Sequence, residues 1–107
     1  PELAAVGLSE EAAGEQGREI KVGKYQFRAN ARAHSMDAID GLVKILSDAR
    51  SDRLLGVHIL GAQASHLIAE GAVAMEFAAS AEDLARSVHA HPTLSEIIKE
   101  AAWAVER

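Results

Sequence analysis

Apolar residues recur along this chain with two periods, and the changes of period mark out its elements. Leu42-Val43-Lys44-Ile45-Leu46 and Leu54-Leu55-Gly56-Val57-His58-Ile59-Leu60 are short runs of the kind that strands covered by other elements show. The polar stretch from Ser47 to Arg53 joins them, so a β-hairpin is the simplest arrangement. Pro1-Glu2-Leu3-Ala4-Ala5-Val6-Gly7 predicts another extended segment. Ile20-Lys21-Val22 alternates, Gly23 interrupts, and Tyr25-Gln26-Phe27 resumes on the shifted phase, which predicts a strand with a bulge at the glycine. Residues 28–41 have weak periodicity and read as a connection.

The remaining segments carry the helical period. Ser9 before Glu10 and Glu11 supplies a cap and two carboxylates suited to a helix start, and Gly17 suits its end, predicting a short helix near 10–16. From Gln63 to Ala79, the residues Ala64, Leu67, Ile68, Gly71, Ala72, Met75 and Ala79 share one face, while Val73, Ala74 and Phe77 make the other side apolar too. A helix apolar nearly all round is covered on two sides, and so small a domain covers only one, so a partner surface is the natural second cover. Ser80-Ala81-Glu82-Asp83 opens another short helix. Thr93-Leu94-Ser95-Glu96 reads as a capping box for a last helix with a core stripe of Leu94, Ile97, Ile98, Ala101, Ala102 and Val105. Strand, helix, three strands and then two or three helices make an α+β fold, an antiparallel β-sheet covered by helices.

Composition narrows the picture. At 107 residues, with no repeat, low-complexity tract or linker, the chain reads as a single domain spanning 1–107. Aromatic residues make up only 4% and there are 22 Ala, so closely approaching helices are expected. A net charge of −5 without a basic cluster leaves no footprint for nucleic acid or an anionic membrane surface. Cys is absent, so no disulfide, thiolate metal site or dithiol redox centre belongs to these residues. Starting without Met and running straight into an extended segment, the chain reads as a fragment cut just before a strand.

Chemistry concentrates in Val88-His89-Ala90-His91-Pro92-Thr93-Leu94-Ser95-Glu96. Ala90-His91-Pro92-Thr93-Leu94-Ser95-Glu96 resembles the C-terminal signature of the dihydrolipoamide dehydrogenases, and the Leu-Ser-Glu continuation with the preceding His-Ala favours that branch over the glutathione and mercuric reductases. Val22 to Phe27, Gly41 to Ile45, Leu55 to Gly61 and Glu82 to Ala85 follow in the same family order, so the resemblance covers essentially the whole chain. It implies the FAD/NAD-linked reductase dimerisation-domain type of fold. It also implies a catalytic acid–base pair, His91 and Glu96, offered to the partner subunit of a homodimer, with His89 lining the substrate channel. In the full-length flavoprotein the cofactors are FAD and NAD and the substrate is the lipoyl group of a 2-oxo acid dehydrogenase or glycine cleavage complex. The setting is bacterial cytoplasm or mitochondrial matrix. No G-x-G-x-x-G fingerprint and no cysteine pair occur in the chain, so no cofactor is expected on this fragment and the fragment alone is expected to be inactive.

Such a pair has a physical reason. A dithiol of pKa near ~8.5 must lose a proton before it can attack a disulfide, and histidine, with a reference value of about 6.5, is the natural base at neutral pH. A neighbouring carboxylate fixes the tautomer. Blander readings stand beside this one. From spacing alone Glu96 is better explained as the third residue of the capping box, and for His89 a surface or packing role stands level with channel lining. His89, His91 and Glu96 as three metal ligands form only a weak pattern, and no metal is expected. His58 and His66 read as structural, His34 has no obvious partner, and Trp103 lies off the stripe of the last helix. Two other functions remain open: another flavin-dependent disulfide reductase, or a stand-alone dimerisation module without enzymatic role.

Overall fold

The computed structural model describes residues 1–105. Four strands, β1 (Glu2–Gly7), β2 (Ile20–Gln26), β3 (Leu42–Asp48) and β4 (Leu54–Gly61), form one antiparallel sheet in the order β1-β4-β3-β2. Between β1 and β2 lies helix α1 (Glu10–Glu15), and between β2 and β3 lies α2 (Ala31–Ser35). After β4 come α3 (Ala64–Glu76), α4 (Ala81–Arg86) and α5 (Glu96–Val105). The predicted α+β arrangement and the central hairpin are both present. The Ser9 side chain accepts from Ala12 N–H at the start of α1, and Gly17 follows that helix at φ +70.

Alternation along the strands gives the sheet two unlike faces. In register, Ala4 lies opposite Ile59 and Val6 opposite Val57, while Val43 and Ile45 face the same two β4 residues from the other side. This row is the sheet's contribution to the core, and α3 and α5 lie over it. Ile97, Ile98, Ala101, Ala102 and Val105 of α5 are buried, each large side chain contributing about 1.5–3 kcal/mol on removal from water. On the opposite face, the β1–β2 connection crosses the sheet. There His58 Nε2 donates to the Leu8 carbonyl at 2.8 Å, and Lys44 pairs with Glu10 at 2.5 Å.

Two expectations are corrected. The strand around Gly23 has no bulge, since Ile20 to Gln26 pair continuously with Asp48 to Leu42, and the sheet's irregularity falls between Leu46 and Ser47. Gly23 is there because α5 presses onto the sheet: a Cβ at that position would stand 2.2 Å from the Ala101 carbonyl and 2.6 Å from Val105. The segment 28–41 is also more ordered than its pattern suggests, with a 3-10 turn at Phe27–Ala29 followed by α2. A helix of five residues is too short to show a period.

Candidate functional site

The segment between α4 and α5 is a loop held at both ends by side chains. At its start Ser87 N–H donates to Asp83 O and Ser87 Oγ–H to the same carbonyl at 2.7 Å, closing α4. Lys99, one turn into α5, donates to Ser87 O at 2.8 Å. At its far end Thr93 Oγ1–H donates to Ala90 O at 2.6 Å, and the Thr93 and Ser95 hydroxyls lie 2.9 Å apart. Asn30 braces the same residue from across the fold: its Nδ2–H donates to Thr93 O at 2.9 Å, while its Oδ1 accepts from Ala33 N–H and caps α2. Leu94 is buried and pins the loop to the core. The His91–Pro92 peptide is cis.

The geometry brings His91 and Glu96 together. His91 Nδ1 lies 2.9 and 3.0 Å from the two Glu96 carboxylate oxygens. A carboxylate only accepts, so Nδ1 carries the proton and, in the neutral ring, Nε2 keeps its lone pair. Nε2 has no hydrogen-bond partner among the described residues, and the side chain is 71% exposed. The Glu96 carboxyl is held below the usual carboxylate range, first by the Thr93 N–H donating to Oε1 at 3.0 Å and further by the bond to His91, with burial opposing. Glu96 therefore stays ionised at neutral pH and can support a positive charge on the ring.

The predicted capping box is half formed. Glu96 reaches back to the Thr93 N–H, but Thr93 Oγ1 turns to Ala90 O instead of capping the helix, and α5 begins at Glu96 itself. One carboxylate thus does both jobs that the spacing left open, fixing the helix start and gripping the histidine.

His89 sits differently. Its side chain is 7% exposed, its Nδ1 donates to Ser87 O at 3.0 Å, and its Nε2 lies 2.5 Å from Glu70 Oε2 on α3. Neither nitrogen is open to an incoming substrate, and any lining contact would come from the ring edge. With His89 turned to Glu70 and His91 to Glu96, the two rings face different carboxylates instead of one shared point. The depression beside Pro92, about 420 Å³, is walled by Arg32, Met36, Gln63, Leu67, Thr93, Leu94 and Ser95, and includes neither His91 nor Glu96.

Sequence reasoning missed Asn30 and Glu70. Asn30 before Ala-Arg-Ala carries a cap signal that a short helix makes easy to pass over. Glu70 lies four positions after His66 in sequence, yet its partner is His89, on a loop nineteen residues on. His34 has a partner after all, donating from Nε2 to the Arg28 carbonyl at 2.6 Å. Trp103 packs partly against the core.

Residues 1–102 match the family described as pyridine nucleotide-disulphide oxidoreductase, dimerisation domain. The chain is 52% identical over 107 residues to a dihydrolipoyl dehydrogenase of Cupriavidus necator, covering 100% of the chain and 23% of that protein. It is 53% identical over 104 residues to a mitochondrial dihydrolipoyl dehydrogenase of Pisum sativum, covering 97% of the chain and 21% of that protein. Among solved structures it superposes on LpdA from Mycobacterium tuberculosis with a TM-score of 0.90 at 31% identity, covering 96% of the chain and 22% of that structure's chain. The chain thus spans between a fifth and a quarter of the length of these relatives.

Proposed function

Because the chain belongs to the pyridine nucleotide-disulphide oxidoreductase dimerisation-domain family, we propose that it is the interface domain of a dihydrolipoyl dehydrogenase and supplies His91 and Glu96 to the active site of a second subunit. One observation carries this reading: a histidine gripped at Nδ1 by an ionised carboxylate, with Nε2 unpartnered among the described residues and the side chain 71% exposed. A base mounted in this way needs its substrate delivered from outside the domain.

In the proposed reaction His91 Nε2 takes the proton of a dihydrolipoyl thiol, and the thiolate then attacks an enzyme disulfide. Glu96 holds the ring in the tautomer that leaves Nε2 free and stabilises the imidazolium that forms. Overall, two thiols become one disulfide, two electrons and one proton leave as hydride on NAD, and a second proton is released. FAD supplies the electron relay when bound. These residues offer it no cradle, for none of the chain's eight glycines falls in a G-x-G-x-x-G spacing, so both cofactors belong to the rest of the parent enzyme. The lipoyl group would be carried by a 2-oxo acid dehydrogenase or glycine cleavage complex, in bacterial cytoplasm or mitochondrial matrix.

The second subunit meets the chain on α3 in this reading. Val73 in α3 is 57% and Phe77, its C-cap residue four positions on, 80% exposed within one chain, and such apolar surface is what a two-fold interface covers. The test is the parent enzyme with NAD and dihydrolipoamide. His91→Gln should abolish most turnover, and Phe77→Asp should shift the sedimenting species toward monomer. Parental turnover in the His91 variant would sink the acid–base role. A Phe77→Asp enzyme that remains wholly dimeric would remove α3 from the interface.

A further inference from the structure

Between Ser87 and Leu94 the loop has almost nothing apolar to hold it. Val88 is 96% exposed, and Ala90, His91 and Pro92 are exposed as well. His89 is the residue of this stretch that turns inward, and what it meets there is a carboxylate, Glu70, in the middle of α3. Nδ1 donates to the Ser87 carbonyl, so a single proton between Nε2 and Glu70 Oε2 completes the second bond, and both ring nitrogens are then satisfied. Removing Glu70 leaves the buried His89 Nε2 without its partner, and removing His89 leaves the Glu70 carboxylate without its own, a costly state for a polar group.

Glu70 has a second relation. Val73 follows it at i+3, on the same side of α3, and Phe77, the C-cap residue whose N–H still donates to Val73 O, follows at i+7. The helix whose apolar row faces outward is therefore the helix that grips the loop.

We propose that Glu70 and His89 form a positioning bridge, through which the helix meeting the second subunit sets the place of His91. The proposal rests on the reading of His91 as the base and of α3 as an interface element. Neither residue touches the substrate in this scheme. Glu70 holds His89, His89 holds the loop, and the loop presents the exposed ring of His91 two residues further on. The Thr93 bonds and the Lys99 bond fix the two ends, leaving the middle of the loop to the bridge.

The test uses the full-length dimeric holoenzyme and two substitutions. Glu70→Ala removes the bridge. Glu70→Gln keeps a hydrogen bond without a charge, because its side-chain N–H donates to the neutral ring's Nε2. A base displaced by ~1 Å loses on the order of 100-fold, so kcat for dihydrolipoamide should fall roughly 10- to 100-fold in Glu70→Ala with KM nearly unchanged. Glu70→Gln should recover most of it. Electron transfer from NADH to an artificial acceptor needs no thiol base and should match the parent in both. Amide exchange across 88–91 should quicken in Glu70→Ala and return toward the parent in Glu70→Gln, with α5 unaffected.

Should Glu70→Ala not assemble, His89→Ala asks the same question from the loop side while leaving α3 intact, with the same expected losses. Parental kcat in the assembled bridge-less variant overturns the proposal, as does a Glu70→Gln enzyme as slow as Glu70→Ala, which would make the role one of charge. If His91→Gln itself turns over normally, the base reading fails first. The exchange rates then decide the bridge alone, and unaltered exchange at 88–91 overturns it.

Discussion

His89 and His91 stand two positions apart on one loop, and each meets a glutamate, yet the structure puts them in opposite situations. His89 is turned inward with both nitrogens engaged, by the Ser87 carbonyl and by Glu70. His91 is turned outward, engaged at Nδ1 by Glu96 and without a partner at Nε2 among the described residues. The difference teaches what would separate a structural histidine from the base we propose. Both have carboxylate partners, so the partner does not decide. What decides is whether a basic nitrogen remains after the partner is satisfied, and whether solvent or substrate can reach it.

The sharpest way to break that contrast is to replace the outward ring. His91→Gln in the parent enzyme should lower turnover of dihydrolipoamide by about 10²–10⁴, the usual worth of a general base. Its thermal stability should hardly change, because the side chain is mostly solvent-exposed. A melting point that falls along with turnover would show that His91 holds the loop together, as His89 is argued to do.

Glu96→Gln should have a smaller, clear effect, about 10-fold in kcat at neutral pH, within the range that tuning of a general base covers. Gln keeps an oxygen for the Thr93 N–H, so the start of α5 survives, but the charge opposite the ring is gone. Equal turnover of variant and parent across neutral pH would leave Glu96 as a helix-start residue only.

How much of this contrast was legible in the sequence depends on whether a contact is local. His91 and Glu96 lie five residues apart on one loop, and the resemblance carried by Ala90 to Glu96 is what pairs them as acid and base, since spacing alone gives Glu96 only as a helix cap. His89 to Glu70 is a tertiary contact between a loop and a helix, and no period or motif announces it. The same divide runs through the fold. The hairpin of β3 and β4 and the ends of α1 follow from local patterns. Gly23 was misread as a bulge because its cause, the backbone of α5 lying on the sheet, is some eighty residues away in sequence. The outward apolar row of Val73 and Phe77 was visible as surplus hydrophobicity, because a helix in a small domain has only one side to bury.

Asn30 sharpens the comparison from the side of the loop's support. It caps α2 with Oδ1 and holds Thr93 O with Nδ2, so Asn30→Ala removes a cap and leaves a partly buried carbonyl unpaired. The expected loss is about 1–3 kcal/mol in urea unfolding of the 107-residue chain. Unchanged stability would mean that the Thr93 end of the loop is held by its own hydroxyl bonds alone.

The smallest effect separates the two duties of Glu96 by pH. Its carboxyl is depressed chiefly by the Thr93 N–H, then by His91, so the folded state binds that proton more weakly than the unfolded chain does. A group depressed in this way contributes its full stabilisation above the ordinary carboxylate pKa of about 4.3, and loses it as pH falls through the lower folded value. Asp48, held down first by the Ser51 N–H, Glu2 by the Ser65 N–H and Glu10 by Lys44 lose theirs in the same direction, so the whole chain should weaken in acid. Those groups are common to the parent chain and to Glu96→Gln, and their contributions cancel in the difference between the two melting curves. What remains is Glu96: the parent's advantage over the variant should be complete above the ordinary carboxylate range and shrink as pH falls below it. A difference that stays constant through that fall would mean that the carboxylate's bond to Thr93 carries no charge-dependent stability, and that the helix start accepts Gln as fully as Glu.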